Sequence, residues 1–114
     1  MSEPTELSME MEMRIQALPP FFKDKFIAAT QGPNVFRYKV GDYDYASPEV
    51  QLPVFETAKA IAEKFKSAEE VKTAWHNMSI FDLWKIVPQM NQMSAYNLGI
   101  AIKTAIKYLE MQSQ

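Results

Sequence analysis

The 114-residue chain contains no cysteine, which excludes disulfides, thiol catalysis and thiolate metal ligands. It has one histidine, His76, and three glycines, so neither a histidine-based catalytic or metal site nor a glycine-rich phosphate loop is indicated. The sequence patterns of phosphate loops, dinucleotide-binding turns and nucleophile elbows do not occur. We therefore predict a protein that is not an enzyme and that has no cofactor and no metal.

Long apolar runs are also missing. No segment approaches the roughly 18 consecutive apolar residues that span a bilayer, and the acidic N-terminus lacks the basic region of a signal peptide. The formal net charge of -2 gives no general attraction to nucleic acid or to anionic lipid. Together with the absence of cysteine, these features predict a cytoplasmic protein with no membrane partner.

The composition is that of an ordinary folded protein. Hydrophobic residues make up 47% of the chain and charged residues 23%, both close to the globular average. A chain of this length is typical of one domain with one core. We predict a single globular domain over residues 1–114, with residues 1–6 as a flexible tail.

The range Leu7 to Ala17 alternates strictly between apolar odd positions and polar even positions. Such a period of two predicts a β-strand, whose dry face would carry Met9, Met11 and Met13. Methionine and glutamate are better helix formers than strand formers, which argues for the alternative of a helix. A helix would scatter these methionines around its surface.

A second β signal lies between Val35 and Ala46. Two short alternating runs flank Gly41-Asp42, an order that suits a type II′ hairpin turn because glycine comes first. Together with Leu7 to Ala17, this hairpin predicts a small antiparallel sheet of about three strands in the N-terminal half. Between them, Pro20 suits the first turn of a helix.

The C-terminal half has the pattern of helices. The range Ser47 to Pro53, with two prolines, is interpreted as a linker, and Ser67, Ser79 and Ser94 suit the N-caps of later helices. The final helix, Ser94 to Met111, carries one broad apolar stripe at a 3.6-residue period. The resulting prediction is an α+β fold in which the small sheet packs against four or five helices.

The first functional hypothesis is non-catalytic binding to another protein or to copies of the same chain, as an adaptor, inhibitor or assembly component. The side of the final helix opposite its apolar stripe carries an aromatic residue, a branched aliphatic residue and two cations: Tyr96, Ile100, Lys103 and Lys107. Aromatic anchors surrounded by charge are typical of protein interfaces. Met9, Met11 and Met13 form a second candidate surface, because methionine is over-used on adaptable binding surfaces.

The alternative hypothesis is binding of single-stranded nucleic acid by the hairpin at residues 35–46. There, aromatic residues interleave with cations as they do on base-stacking platforms: Arg37, Tyr38, Lys39, Tyr43 and Tyr45. Asp42 and Asp44 argue against this hypothesis, and an ordinary hairpin covering the core explains the same alternation. A helix-turn-helix over Ile80 to Leu109 is a weaker variant, since its recognition turn lacks Arg and Lys. A small enzyme subunit completed by a partner is the third hypothesis.

Overall fold

Helices form nearly all of the regular structure in the part of the chain that the computed structural model describes, which is residues 8–31, 39–40, 43–44 and 46–112. These ranges contain six α-helices: α1 Met9–Gln16, α2 Pro20–Gln31, α3 Pro48–Lys64, α4 Ala68–Asn77, α5 Ile80–Ile86 and α6 Ala95–Gln112. A short 3₁₀ helix, Pro88–Gln92, connects α5 to α6. The predicted tail at residues 1–6 lies outside the described residues.

The predicted α+β fold is wrong. The range Leu7 to Ala17 forms helix α1, not a strand, over its described part, and the Ser8 hydroxyl caps it by accepting the N–H of Met11 at 3.1 Å. The β structure in the described ranges is a short antiparallel ladder between β1, Lys39–Val40, and β2, Tyr43–Asp44. Two residues per strand provide no sheet face on which helices can pack, so the core is built by helices.

A helical spacing of apolar residues between Met11 and Leu18 explains why α1 forms. Met11, Ile15 and Leu18 follow one another at a spacing of four and three residues, and they face the core, Met11 partly and the other two fully buried. The Ser8 cap and the helix propensity of Met and Glu favour the same conformation. Local preference and burial therefore agree on a helix, and the alternation of period two is incidental.

The predicted linker at residues 47–53 is also wrong, because it forms the first turns of α3. The Ser47 hydroxyl accepts a backbone N–H of the first turn, and Pro48 occupies a position where proline is tolerated. Pro53 lies inside the helix and has no N–H to donate to the Glu49 carbonyl. Burial outweighs this loss, since α3 inserts several side chains of the same turns into the core: Gln51, Leu52, Val54 and Phe55.

Helix α6 packs against α3 and α4, and α2 packs mainly on α3 while also contacting α6. Its N-cap is Ser94, whose hydroxyl accepts the N–H of Asn97 at 3.2 Å, as predicted from the sequence. Tyr108 contacts the ring of the buried Phe22 on α2, with 4.7 Å between the ring centroids. Most of the predicted apolar stripe is buried, whereas Ala95 is exposed and Ile106 is partly buried; the buried members are Leu98, Ala101, Ile102, Ala105 and Leu109.

Gly99 lies within α6, where glycine is less favourable to helix formation than alanine. A Cβ atom built at this glycine meets nothing within 4 Å, so alanine fits without a clash. We expect Gly99→Ala to raise the free energy of unfolding by about 0.5–1 kcal/mol, because alanine restricts the unfolded chain and favours helix. Urea denaturation followed by circular dichroism measures the change. Ala105→Gly on the buried side of the same helix is the control with the opposite expected sign, a lower free energy of unfolding. A loss of stability in Gly99→Ala would contradict the prediction.

Candidate functional site

The side of α6 that faces away from the core brings together three of the four residues predicted there. Tyr96 is 56% exposed, and Lys103 and Lys107 are exposed along the same side. We name Tyr96, Lys103 and Lys107 the outer face of α6. Ile100 lies at the border of this face, where it is partly buried and packs against the core.

The outer face of α6 is locally positive. Lys103 and Lys107 make no ion pair within the described ranges, whereas Glu110, one turn beyond Lys107, binds Lys72 of α4 with 3.3 Å between Nζ and Oε2. The hydrogen bond to Glu110, aided by the charge of Glu69, raises the pKa of Lys72 above its usual value. The Glu110 carboxylate is thus engaged with α4, and Lys103 and Lys107 have no ion-pair partner among the described residues of a chain whose net charge is -2.

The three methionines predicted on one strand face are divided between two sides of helix α1. Met9 and Met13 are 78% and 67% exposed on the outer side of α1, whereas Met11 packs against the core. Residues two apart point in different directions on a helix, which separates Met11 from the other two. Because Met9–Gln16 is helical, this segment offers no strand edge for pairing with another chain.

The hairpin residues of the nucleic-acid hypothesis lie largely outside the described residues. This applies to Arg37, Tyr38 and Tyr45. For Lys39 and Tyr43 the structure describes the backbone pairing alone. Binding of single-stranded nucleic acid through this hairpin therefore remains a prediction from sequence.

A groove that the sequence did not indicate runs along α3. Three adjoining cavities of about 320, 520 and 350 Å³ share lining residues and together form it. One side of α3 supplies residues spaced three or four apart, so they follow a single stripe of the helix: Glu49, Pro53, Glu56, Ala60 and Glu63. We name this feature the α3 groove.

One wall of the α3 groove is fixed by an ion pair between α1 and α3. The Arg14 guanidinium donates from Nε to Glu56 Oε2 at 3.0 Å and from Nη2 to Oε1 at 2.5 Å. The hydrogen bonds to Glu56 raise the pKa of Arg14, although partial burial opposes this shift. A bidentate pair restrains both side chains in a single geometry, so it holds α1 beside the groove.

The opposite wall is the 3₁₀ helix and the residue after it. It combines the apolar side chains of Pro88 and Met93 with carboxamide groups that carry both hydrogen-bond donors and acceptors. These carboxamides belong to exposed residues that line the groove: Gln89, Asn91 and Gln92. The groove thus offers both apolar surface and groups able to pair with a peptide backbone.

At one end of the groove the N-termini of α3 and α6 meet. Glu49, Pro53, Ser94 and Asn97 line this end, which we name the acceptor end. Asn97 is only 6% exposed, and its Oδ1 is buried without a hydrogen-bond partner among the described residues. An unpaired buried acceptor costs about 1–3 kcal/mol. The one sequence signal for this end was a polar Asn97 beside the apolar stripe of the final helix.

In the described part of the chain, no three His, Asp or Glu side chains lie close enough to hold a metal ion. His76 lies exposed in the last turn of α4. In the same part of the chain, no helix has both the length and the apolar character needed to cross a membrane.

Comparison of the chain with protein-family models, with curated proteins and with solved structures finds no match.

Proposed function

We propose that this protein acts without catalysis by binding another protein, as an adaptor, inhibitor or assembly component, and that the outer face of α6 recognises an acidic patch on that partner. The observation that supports this proposal is an exposed tyrosine, Tyr96, on the same side of α6 as Lys103 and Lys107, which make no ion pair with any residue that the structure describes. Tyrosine is enriched among the residues that dominate binding energy, and surrounding charges accelerate association with an oppositely charged surface.

The charge of this face favours a different protein over a second copy of the chain. In a symmetric dimer formed through this face, the same surface meets itself, so the two positively charged patches face each other. Like charges brought together across an interface disfavour association. The partner is therefore expected to present Asp and Glu residues opposite the two lysines.

Ile100 is not a suitable position for testing this proposal. Because its side chain packs against the core, Ile100→Asp would disturb folding as well as the outer face. Lys103 and Lys107 are exposed, so changing them leaves the core intact. The charge of the outer face of α6 can therefore be altered without disturbing the core.

We expect the double variant Lys103→Glu and Lys107→Glu to slow association with the partner about tenfold or more at low ionic strength, since electrostatic steering becomes repulsion. A photoreactive amino acid at position 96 first identifies the partner by covalent capture. Surface plasmon resonance then measures the association rate at two salt concentrations. The difference between wild type and variant should shrink at high salt.

The matched control is Lys64→Glu with Lys66→Glu, which makes the same charge change at exposed positions around the end of α3. Equal slowing by both double variants would show a general charge effect and reject the outer face of α6 as the docking surface. Sedimentation analysis of the free protein provides the second check. If the free protein forms a stable dimer that Lys103→Glu and Lys107→Glu disrupt, the partner is a second copy of the chain and not a different protein.

A further inference from the structure

Helix α1 has the smallest share of the core among the described α-helices. Ile15 is the one buried side chain of its eight residues, and Met11 is partly buried. Within the described ranges, α3 packs extensively on α2 and α6, and α6 on α4, whereas α1 packs extensively on none of them. The attachment of α1 therefore depends on few apolar contacts.

An ion pair, and not close packing, links α1 to α3. A cavity of about 320 Å³ is lined by Ala17 and Leu18 at the end of α1 and by Ala60 of α3. The Arg14–Glu56 pair joins the same two helices, with 3.0 Å between Nε and Oε2. Its side chains are 41% and 31% exposed, so water and dissolved ions reach the pair. The contact between α1 and α3 is therefore open to screening by salt.

The junction between α1 and α2 allows α1 to leave while α2 stays folded. Helix α2 begins at Pro20, and the N–H of Lys23 donates to the Pro19 carbonyl at 2.9 Å. This hydrogen bond of the first turn uses no group of α1. A side-chain hydrogen bond does connect the two helices, from Lys23 Nζ to Gln16 Oε1 at 3.1 Å, but it is exposed.

We infer that α1 is a hinged wall of the α3 groove, which detaches as a unit while α2 to α6 stay folded, and that the Arg14–Glu56 ion pair controls how often it opens. A helix of eight residues is not stable alone in water, so detached α1 unfolds. Because Arg14 belongs to this wall, detachment turns the groove into an open side of α3. This inference does not depend on the proposed function, which concerns the outer face of α6.

Amide hydrogen exchange of the full-length protein tests the detachment. The helical N–H groups of residues 12–17 should share one opening, with protection factors at least about tenfold below those of the buried stretch of α6. Low concentrations of urea should change them less than those of α6, because detachment exposes less surface than global unfolding. Protection that declines gradually toward Ser8 would show fraying of the helix end. That result, or equal protection and urea dependence in α1 and α6, would overturn the inference.

Arg14→Met tests the role of the ion pair, because methionine is as good a helix former as arginine. We expect the protection factors of α1 to fall about fivefold and those of α6 to stay unchanged. Glu56→Gln should have the same effect, and combining the two changes should add little, since each alone already removes the pair. Salt at about 1 M should lower the protection of α1 in the wild type but not in Arg14→Met.

The matched control is Lys72→Met, which removes another partly exposed ion pair between two helices. Lys72 Nζ lies 3.3 Å from Glu110 Oε2, and this pair joins α4 to α6, which pack extensively on each other. Lys72→Met should therefore leave the protection of α1 unchanged. Equal effects of Lys72→Met and Arg14→Met on α1 would show a general charge effect and reject the ion pair as the control of opening.

Spin-label distances measure whether the groove widens. Because the chain has no cysteine, Met13→Cys on α1 and Asn91→Cys on the opposite wall label these two exposed positions alone. Arg14→Met with Ile15→Ala removes both main attachments of α1, so we expect a large population at longer distances while α6 keeps its protection. An unchanged distance distribution, or a parallel loss of protection in α6, would show that α1 does not open separately.

Discussion

Replacing Phe22 by alanine is expected to lower the free energy of unfolding by about 3–5 kcal/mol, the usual cost of deleting a buried aromatic side chain. Phe22 is 1% exposed and packs against Tyr108, so the change opens a cavity between α2 and α6. Chemical denaturation of the wild-type and variant proteins measures the loss.

Phe81 provides the matched control on the same chain. It is 65% exposed and contacts the edge of Trp84, with 5.1 Å between the ring centroids. Phe81→Ala should therefore cost less than about 1 kcal/mol. Equal losses in the two variants would mean that the core is not arranged as described.

The second large effect concerns α1. Ile15→Ala is expected to cost about 2–3 kcal/mol, because Ile15 is 9% exposed and faces the core from a short helix. Met13→Ala should change stability by less than about 0.5 kcal/mol, because Met13 is 67% exposed. The same denaturation measurement applies to both variants.

This pair of variants also discriminates the helix from the strand. In a strand, Met13 and Ile15 would share one face and lose comparable stability on truncation. In a helix they point in different directions, and only one of them is buried. Similar losses at both positions would restore the predicted strand and contradict α1.

The helices whose starting signals are local could be predicted from the sequence. Ser67, Ser79 and Ser94 each accept the N–H of the residue three positions later, so a cap and the apolar period after it define α4, α5 and α6 without long-range information. The outer face of α6 followed in the same way, since helical periodicity alone places Tyr96, Lys103 and Lys107 on one side.

Tertiary packing determined the conformation of the segments that form α1 and the start of α3. The segment containing Met11 and Ile15 satisfies both a period of two and a helical spacing, and burial of Ile15 against the core selects the helix. Pro53 argues against a helix locally, yet the buried side chains around it keep α3 intact.

The α3 groove and its acceptor end exist only because distant parts of the chain meet. Arg14 and Glu56 are 42 residues apart, and Glu49 lies beside Asn97 only after α3 has packed on α6. A local pattern specifies how one segment folds and which side of it is apolar. It does not specify which residues of two segments lie opposite each other, because that depends on how their apolar sides fit together in the core.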